Sequence, residues 1–167
     1  MTEAKTLGEL KSSGHPVLTV RQEMRKNLIS KLQAKEDAFP NIVGYQDTVI
    51  PQLENAILSG QDVILLGERG QAKSRIIRSL TSLLDEWTPV LEDVEIPENP
   101  YAPISAQGKK ILLEQGDEAA IKWLHRDTRY GEKLATPDIT IADLIGEVDP
   151  IKIAEGRYLA DEEALHF

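Results

Sequence analysis

Asp62-Val63-Ile64-Leu65-Leu66 runs directly into Gly67-Glu68-Arg69-Gly70-Gln71-Ala72-Lys73-Ser74. The apolar, partly β-branched run reads as a buried strand, two glycines open a turn, and a helical apolar pattern follows over residues 74–87. Strand, glycine turn and helix in that order form a setting in which a backbone can cradle phosphate. Consecutive N–H groups of such a turn, with the free N–H groups of a helix start, make a concave positive site. Glycine at 67 and 70 permits positive φ and lets the backbone approach a ligand with no Cβ between them.

The spacing is that of the Walker A motif, with Ala72 standing where a second glycine is usual. A methyl group is the smallest replacement for hydrogen, so the loop is expected to close with a slightly altered backbone. On this reading the binding residues are Gly67, Glu68, Arg69, Gly70, Gln71, Ala72, Lys73, Ser74 and Arg75. Lys73 reaches the β and γ phosphates of ATP, and the Ser74 hydroxyl holds the Mg2+ that bridges them. The plainer alternative is a surface turn with a solvated lysine; the strand-to-helix context favours the cradle.

The 167 residues suffice for one domain with a substantial core. Cysteine is absent, which excludes disulfides and thiolate zinc sites and is compatible with a reducing compartment. Nineteen basic against 28 acidic residues give a formal charge of −9, which argues against a broad nucleic-acid interface. No apolar run approaches the roughly 20 residues of a membrane span, and the first 20 residues are too polar for a signal peptide. A soluble cytoplasmic chain is the expectation.

Thr6 and Glu9 have capping-box spacing for a short helix that stops near Gly14 and Pro16. Thr19 and Gln22 form a second such box, and Val20, Met24, Leu28 and Leu32 recur as one stripe on a helix to about Lys35. The stripe packs on its own domain or meets a neighbouring subunit. A further helix carries Val49, Ile50, Leu53, Ala56 and Ile57 on one face and ends at Gly60. Leu83-Leu84-Asp85-Glu86 imitates a Walker B motif but follows Lys73 by about 12 residues, roughly 18 Å along the same helix, and cannot serve as one.

Residues 90–103 read as a solvated, proline-rich loop with one short strand, and 105–115 and 117–126 as two short helices. Residues 134–139 read as a strand or extended passage, and Thr140 with Asp143 caps a helix that stops at Gly146. Residues 149–158 suggest a hairpin turning at Glu155-Gly156, and 161–167 a new helical pattern that ends abruptly, as if the chain were cut. His15, His125 and His166 show no metal-ligand spacing and are assigned surface or packing roles. Asp127, Arg129 and Glu132 near Tyr130 read as a charged turn.

Phe39-Pro40-Asn41-Ile42-Val43-Gly44-Tyr45-Gln46, the helix after it and the stretch from Val63 to Ser74 resemble the opening of an AAA+ ATPase domain. More narrowly they are similar to the magnesium chelatase I-subunit and MoxR-like proteins. The resemblance implies an α/β P-loop NTPase with a three-layer core, here truncated before the Walker B strand. It divides the chain into a helical extension, residues 1–38, and the N-terminal portion of a nucleotide-binding domain, residues 39–167. Ile42 and Val43 would line the adenine, and the passage through Glu155-Gly156 would be the family's helix-2 insert.

Family members continue to a Walker B pair, a sensor asparagine, an arginine finger and a helical lid, none of which is found here. The expected function is therefore Mg-ATP binding in a subunit that remodels a protein partner, with hydrolysis requiring the remaining part and assembly into a homo-oligomeric ring. A von Willebrand-A-type partner is implied, and neither membrane nor nucleic acid. The alternative is a nucleotide-gated interaction module without turnover; a P-loop kinase is third, since no acceptor-site residues stand out.

Overall fold

The computed structural model describes residues 4–16, 18–145, 147–148 and 165–166. Helix α1 (Leu7–Ser12) starts where the Thr6 hydroxyl accepts the Glu9 N–H and the Glu9 carboxylate accepts the Lys5 N–H. Helix α2 (Val20–Gln33) has the full reciprocal box between Thr19 and Gln22. Each box satisfies two backbone donors that a helix start leaves free. Along α2, Leu28 is buried and Met24 packs on the core, but Val20 and Leu32 are exposed. Four residues advance a helix by about 400°, so a stripe with strict four-residue spacing winds off the contact face at both ends.

Helix α3 (Val49–Ser59) buries Ile50, Leu53 and Ile57 and ends at Gly60 in the left-handed region, φ 67°. The Gly60 and Gln61 N–H groups return to carbonyls of the last turn, which a residue with a Cβ would do under strain. These helices close on Ala38, Phe39, Ile42, Ile76 and Leu83 to make the main core. Residues 1–38 therefore contribute to that core through Leu28 and Ala38.

The buried strand expected at residues 62–66 is not formed among the described residues. The segment carries no backbone bond to another described residue, and Ile64 and Leu66 are 84% and 89% exposed. Leu65 alone packs inward, on the main core. An apolar run becomes a buried strand only when neighbours pair with both edges and cover both faces. The described strands pair elsewhere, so the parallel three-layer core is not among them.

Helix α4 (Lys73–Ser79) passes into a 3-10 turn at Leu80–Leu83, and Leu84 is already extended, short of the expected end at 87. Trp87 instead opens β1 (Trp87–Leu91), which pairs antiparallel with β2 (Ile121–His125). Strand β2 replaces most of the helix expected over 117–126, of which only 3-10 turns at Gly116–Glu118 and from Arg126 are helical. Short apolar runs do not distinguish the two periods; here long-range pairing decided. Pro89 is tolerated because of register. The Arg126 N–H donates to Glu86 and the Glu92 N–H to Ala120 just beyond the ladder, which puts Pro89, opposite Trp123, in a non-hydrogen-bonded pair. Its missing N–H would have pointed away from β2.

Helix α5 (Ala106–Gln115) is capped by Ser105 as expected, and the Glu98 carboxylate accepts the Ile104 and Ser105 N–H groups ahead of it. Leu7, Leu91, Val94 and Ala119 form a second apolar cluster, and Ala4, Leu10 and Ile121 a third. Val94 and Pro100 are thus buried within a stretch expected to be solvated. Residues 134–139 form no strand and bend into a turn at 137–138. Helix α6 (Ala142–Ile145) has the Thr140–Asp143 cap. Strands β3 (Glu147–Val148) and β4 (Leu165–His166) pair antiparallel, so His166 lies in a strand and not a helix. The hairpin expected at 149–158 lies outside the described residues.

Arg126–Arg129 form a 3-10 turn where a charged turn is expected, but Arg129 is not left on its surface. It turns inward to Glu23, with Nη1 and Nη2 donating at 2.8 and 2.6 Å to the two carboxylate oxygens, and Nη1 also donating to the Thr88 hydroxyl. The side chains are only 13% and 4% exposed. Removing one partner of a buried pair strands the other charge. Arg129→Ala is therefore expected to lose about 3 kcal/mol or more of stability in urea denaturation.

Candidate functional site

Leu65 and Ile76 stand on either side of the glycine loop and pack on the same core, so its arms are anchored while residues 66–71 are exposed. The turn is made by φ of 151° at Gly67, 82° at Gly70 and 55° at Ala72. Ala72 sits in the left-handed region immediately before α4. An L-residue is disfavoured there by roughly 1–2 kcal/mol, which is the physical reason glycine is usual at this position and the strain this loop carries instead. The loop closes as expected.

Lys73 does not extend into solvent. Its Nζ curls back across the loop and donates to the carbonyls of Gly67 at 2.8 Å and Glu68 at 2.5 Å. An ammonium has three N–H donors, so one remains for a ligand. The Gln71 side-chain oxygen accepts the Glu68 N–H at 3.0 Å, and a Cβ on Gly67 would stand 2.1 Å from that oxygen. Glycine is favoured at 67 by φ, while the Gln71 oxygen, the end of a flexible side chain, could swing away from a Cβ. The Ser74 side chain is exposed and bonds to no other described residue, and Arg69 and Arg75 are likewise exposed and unpaired among the described residues. Residues 67–75 hold three cations, Arg69, Lys73 and Arg75, and one carboxylate, Glu68, in a chain of net charge −9.

Of the two residues assigned to the adenine, Ile42 is buried in the main core and Val43 is 80% exposed. Gln46 bonds both the Gly44 N–H and the Ile42 carbonyl, which fixes this turn. Ile42, Leu65 and Ile76 share one cluster, so the turn and both arms of the loop are mounted on common ground. Val43 is the member of the pair free to meet a ligand.

Among the described residues no group of three His, Asp or Glu side chains is placed to hold a metal ion. Asp85, the first acid after the loop helix, is committed to α2: Lys26 and Asn27 donate to its carboxylate and its N–H bonds Glu23. Burial pushes the Asp85 carboxyl up, and the Lys26 and Asn27 hydrogen bonds outweigh it and hold the group below the usual carboxylate range. A cavity of about 560 Å3 lies beside it, lined among others by His15, Thr88, Tyr101 and the Glu23–Arg129 pair, and none of residues 67–75 borders it. His15 and His125 have packing roles, edge-on to Trp123 and Trp87.

Two connections escaped sequence reasoning. Glu23 and Arg129 are separated by 106 positions, and no local pattern marks them as partners. Arg78, in the last turn of α4, grips Glu132 through two bonds of 2.7 and 2.8 Å, and the Tyr130 hydroxyl donates to the same carboxylate. These donors favour the ionised form and pull Glu132 down to about 2. With its pKa depressed, the group's stabilising contribution is present above the ordinary carboxylate range and is lost as pH falls through about 2. In Arg78→Gln the Glu132 carboxyl should titrate markedly higher, as carboxyl-carbon NMR would read.

No helix among the described residues is long and apolar enough to cross a membrane. No family model matches the chain, and neither a curated protein nor a solved structure matches it.

Proposed function

We propose that the loop from Gly67 to Ser74 receives the polyphosphate of Mg-ATP, and that the chain is the nucleotide-binding part of an AAA+ subunit of the magnesium chelatase/MoxR-like kind. The observation that carries the reading is the posture of Lys73, bonded to its own loop's first two carbonyls with one donor left over. Lys73 is thereby held across the loop instead of extending into solvent, a position suited to meeting a phosphate there. Ser74, uncommitted and next in sequence, suits a hydroxyl ligand of Mg2+; the ion would supply charge neutralisation between the phosphates. Arg69 and Arg75 add local positive charge, and Val43 offers an apolar surface for the base.

The three-layer parallel core belongs to the same proposal. Residues 62–66 have no assigned partner among the described residues, and Ile64 and Leu66 leave apolar side chains exposed that a covered strand would bury. A homo-oligomeric ring, a von Willebrand-A-type partner and a cytoplasmic setting are further parts of it. Asp85, the first acid after the loop helix, is engaged by Lys26 and Asn27 and is not free to polarise a water at the loop. That favours binding over cleavage by this chain, and it also favours the second reading, a nucleotide-gated interaction module without turnover.

Lys73→Ala should weaken Mg-ATP binding at least tenfold in calorimetry; unchanged affinity would remove the phosphate-cradle assignment. The purified chain should release phosphate at the background rate, and Lys73-dependent turnover would show that a catalytic carboxylate acts at the loop after all.

A further inference from the structure

We propose that Gln71 occupies the loop when nucleotide is absent, its side-chain oxygen standing in for a phosphate oxygen, so that ATP must displace it. This rests on the nucleotide reading above and adds a regulatory element to the same site.

Three contacts converge beside Gly67. The Gln71 oxygen accepts the Glu68 N–H at 3.0 Å, so one loop amide that faces an acceptor already has one. The same oxygen lies 2.1 Å from the place a Cβ on Gly67 would take, against the one residue of the turn whose surface a side chain can cover so closely. Lys73 Nζ lies 4.0 Å from that same place, so the neutral oxygen and the ammonium share the space beside Gly67. Among the described residues, no other side chain of the loop except Lys73 bonds its backbone.

The occupant is well matched to being displaced. A primary amide is a neutral acceptor, and hydrogen bonds to an ionised phosphate are roughly twice as strong, so the nucleotide wins the exchange while its apparent affinity falls by the cost of breaking the internal bond. Removing a bond of ordinary net worth corresponds to a change of about two- to tenfold. A carboxylate at the same position would be a stronger occupant, because it would add charge attraction to Lys73.

The test is calorimetry of Mg-ATP binding to the wild-type protein, Gln71→Ala, Gln71→Glu and Lys73→Ala, with amide hydrogen exchange of Glu68 measured by NMR without nucleotide. Gln71→Ala is expected to bind about two- to tenfold tighter and to lose protection at the Glu68 amide, and Gln71→Glu to bind more weakly than wild type. Weaker or equal binding by Gln71→Ala, or a Glu68 amide that exchanges as before, overturns the proposal, the former making Gln71 a positioning residue. Binding that survives Lys73→Ala overturns the nucleotide reading instead, and the displacement with it; the Glu68 exchange rate separates the two failures.

Discussion

The Glu23 carboxylate receives three N–H donors inside the protein, two from Arg129 and one from the backbone of Asp85. A charge this far from water persists only when its lone pairs are engaged. The arrangement joins three parts of the chain distant in sequence: the first turn of α2, the exit of the loop helix and the exit of β2. Through Thr88, which also accepts from Arg129, the junction reaches β1. Lys26 and Asn27, on the next turn of α2, extend the junction to the Asp85 carboxylate. The 3-10 turn after α4 ends where this junction takes its first N–H.

From that junction the loop helix runs back to an exposed turn with anchored arms. Ile76 and Leu83 sit in the core, so α4 just beyond the strained Ala72 is held by packing. Within the turn, Lys73 bonds two carbonyls and Gln71 one amide. Net charge is a poor guide at this scale. A chain of −9 overall still concentrates three cations between positions 67 and 75, and a phosphate responds to what lies within a Debye length, about 8–10 Å. The second ion pair, Arg78 with Glu132, ties the last turn of α4 to the segment after β2, so the C-terminal end of the loop helix is linked by charge to the chain that leaves the strand pair.

The apolar surface is distributed unevenly about this loop. Leu65 faces the core while Ile64 and Leu66 face away, the alternation expected of an extended chain. A helix satisfies its own backbone, so α3 could form from its own residues; a strand cannot, and residues 62–66 are part of no sheet among the described residues.

What the sequence alone determined is what is settled within four residues. The Thr6–Glu9, Thr19–Gln22 and Thr140–Asp143 caps, the Gly60 terminus, the buried face of α3 and the turn at 67–72 all depend on hydrogen bonds and dihedral preferences local to the residues that make them. Only the tertiary structure decided that residues 121–125 form a strand, that Pro89 falls in a register where its missing N–H is harmless, that Arg129 points inward, and that Ile42 is buried while Val43 is not. Each of those outcomes depends on a partner far along the chain, Trp87–Leu91 for β2 and Glu23 for Arg129, and neither a period of 3.6 or 2 nor a residue's charge says which distant group will come to meet it.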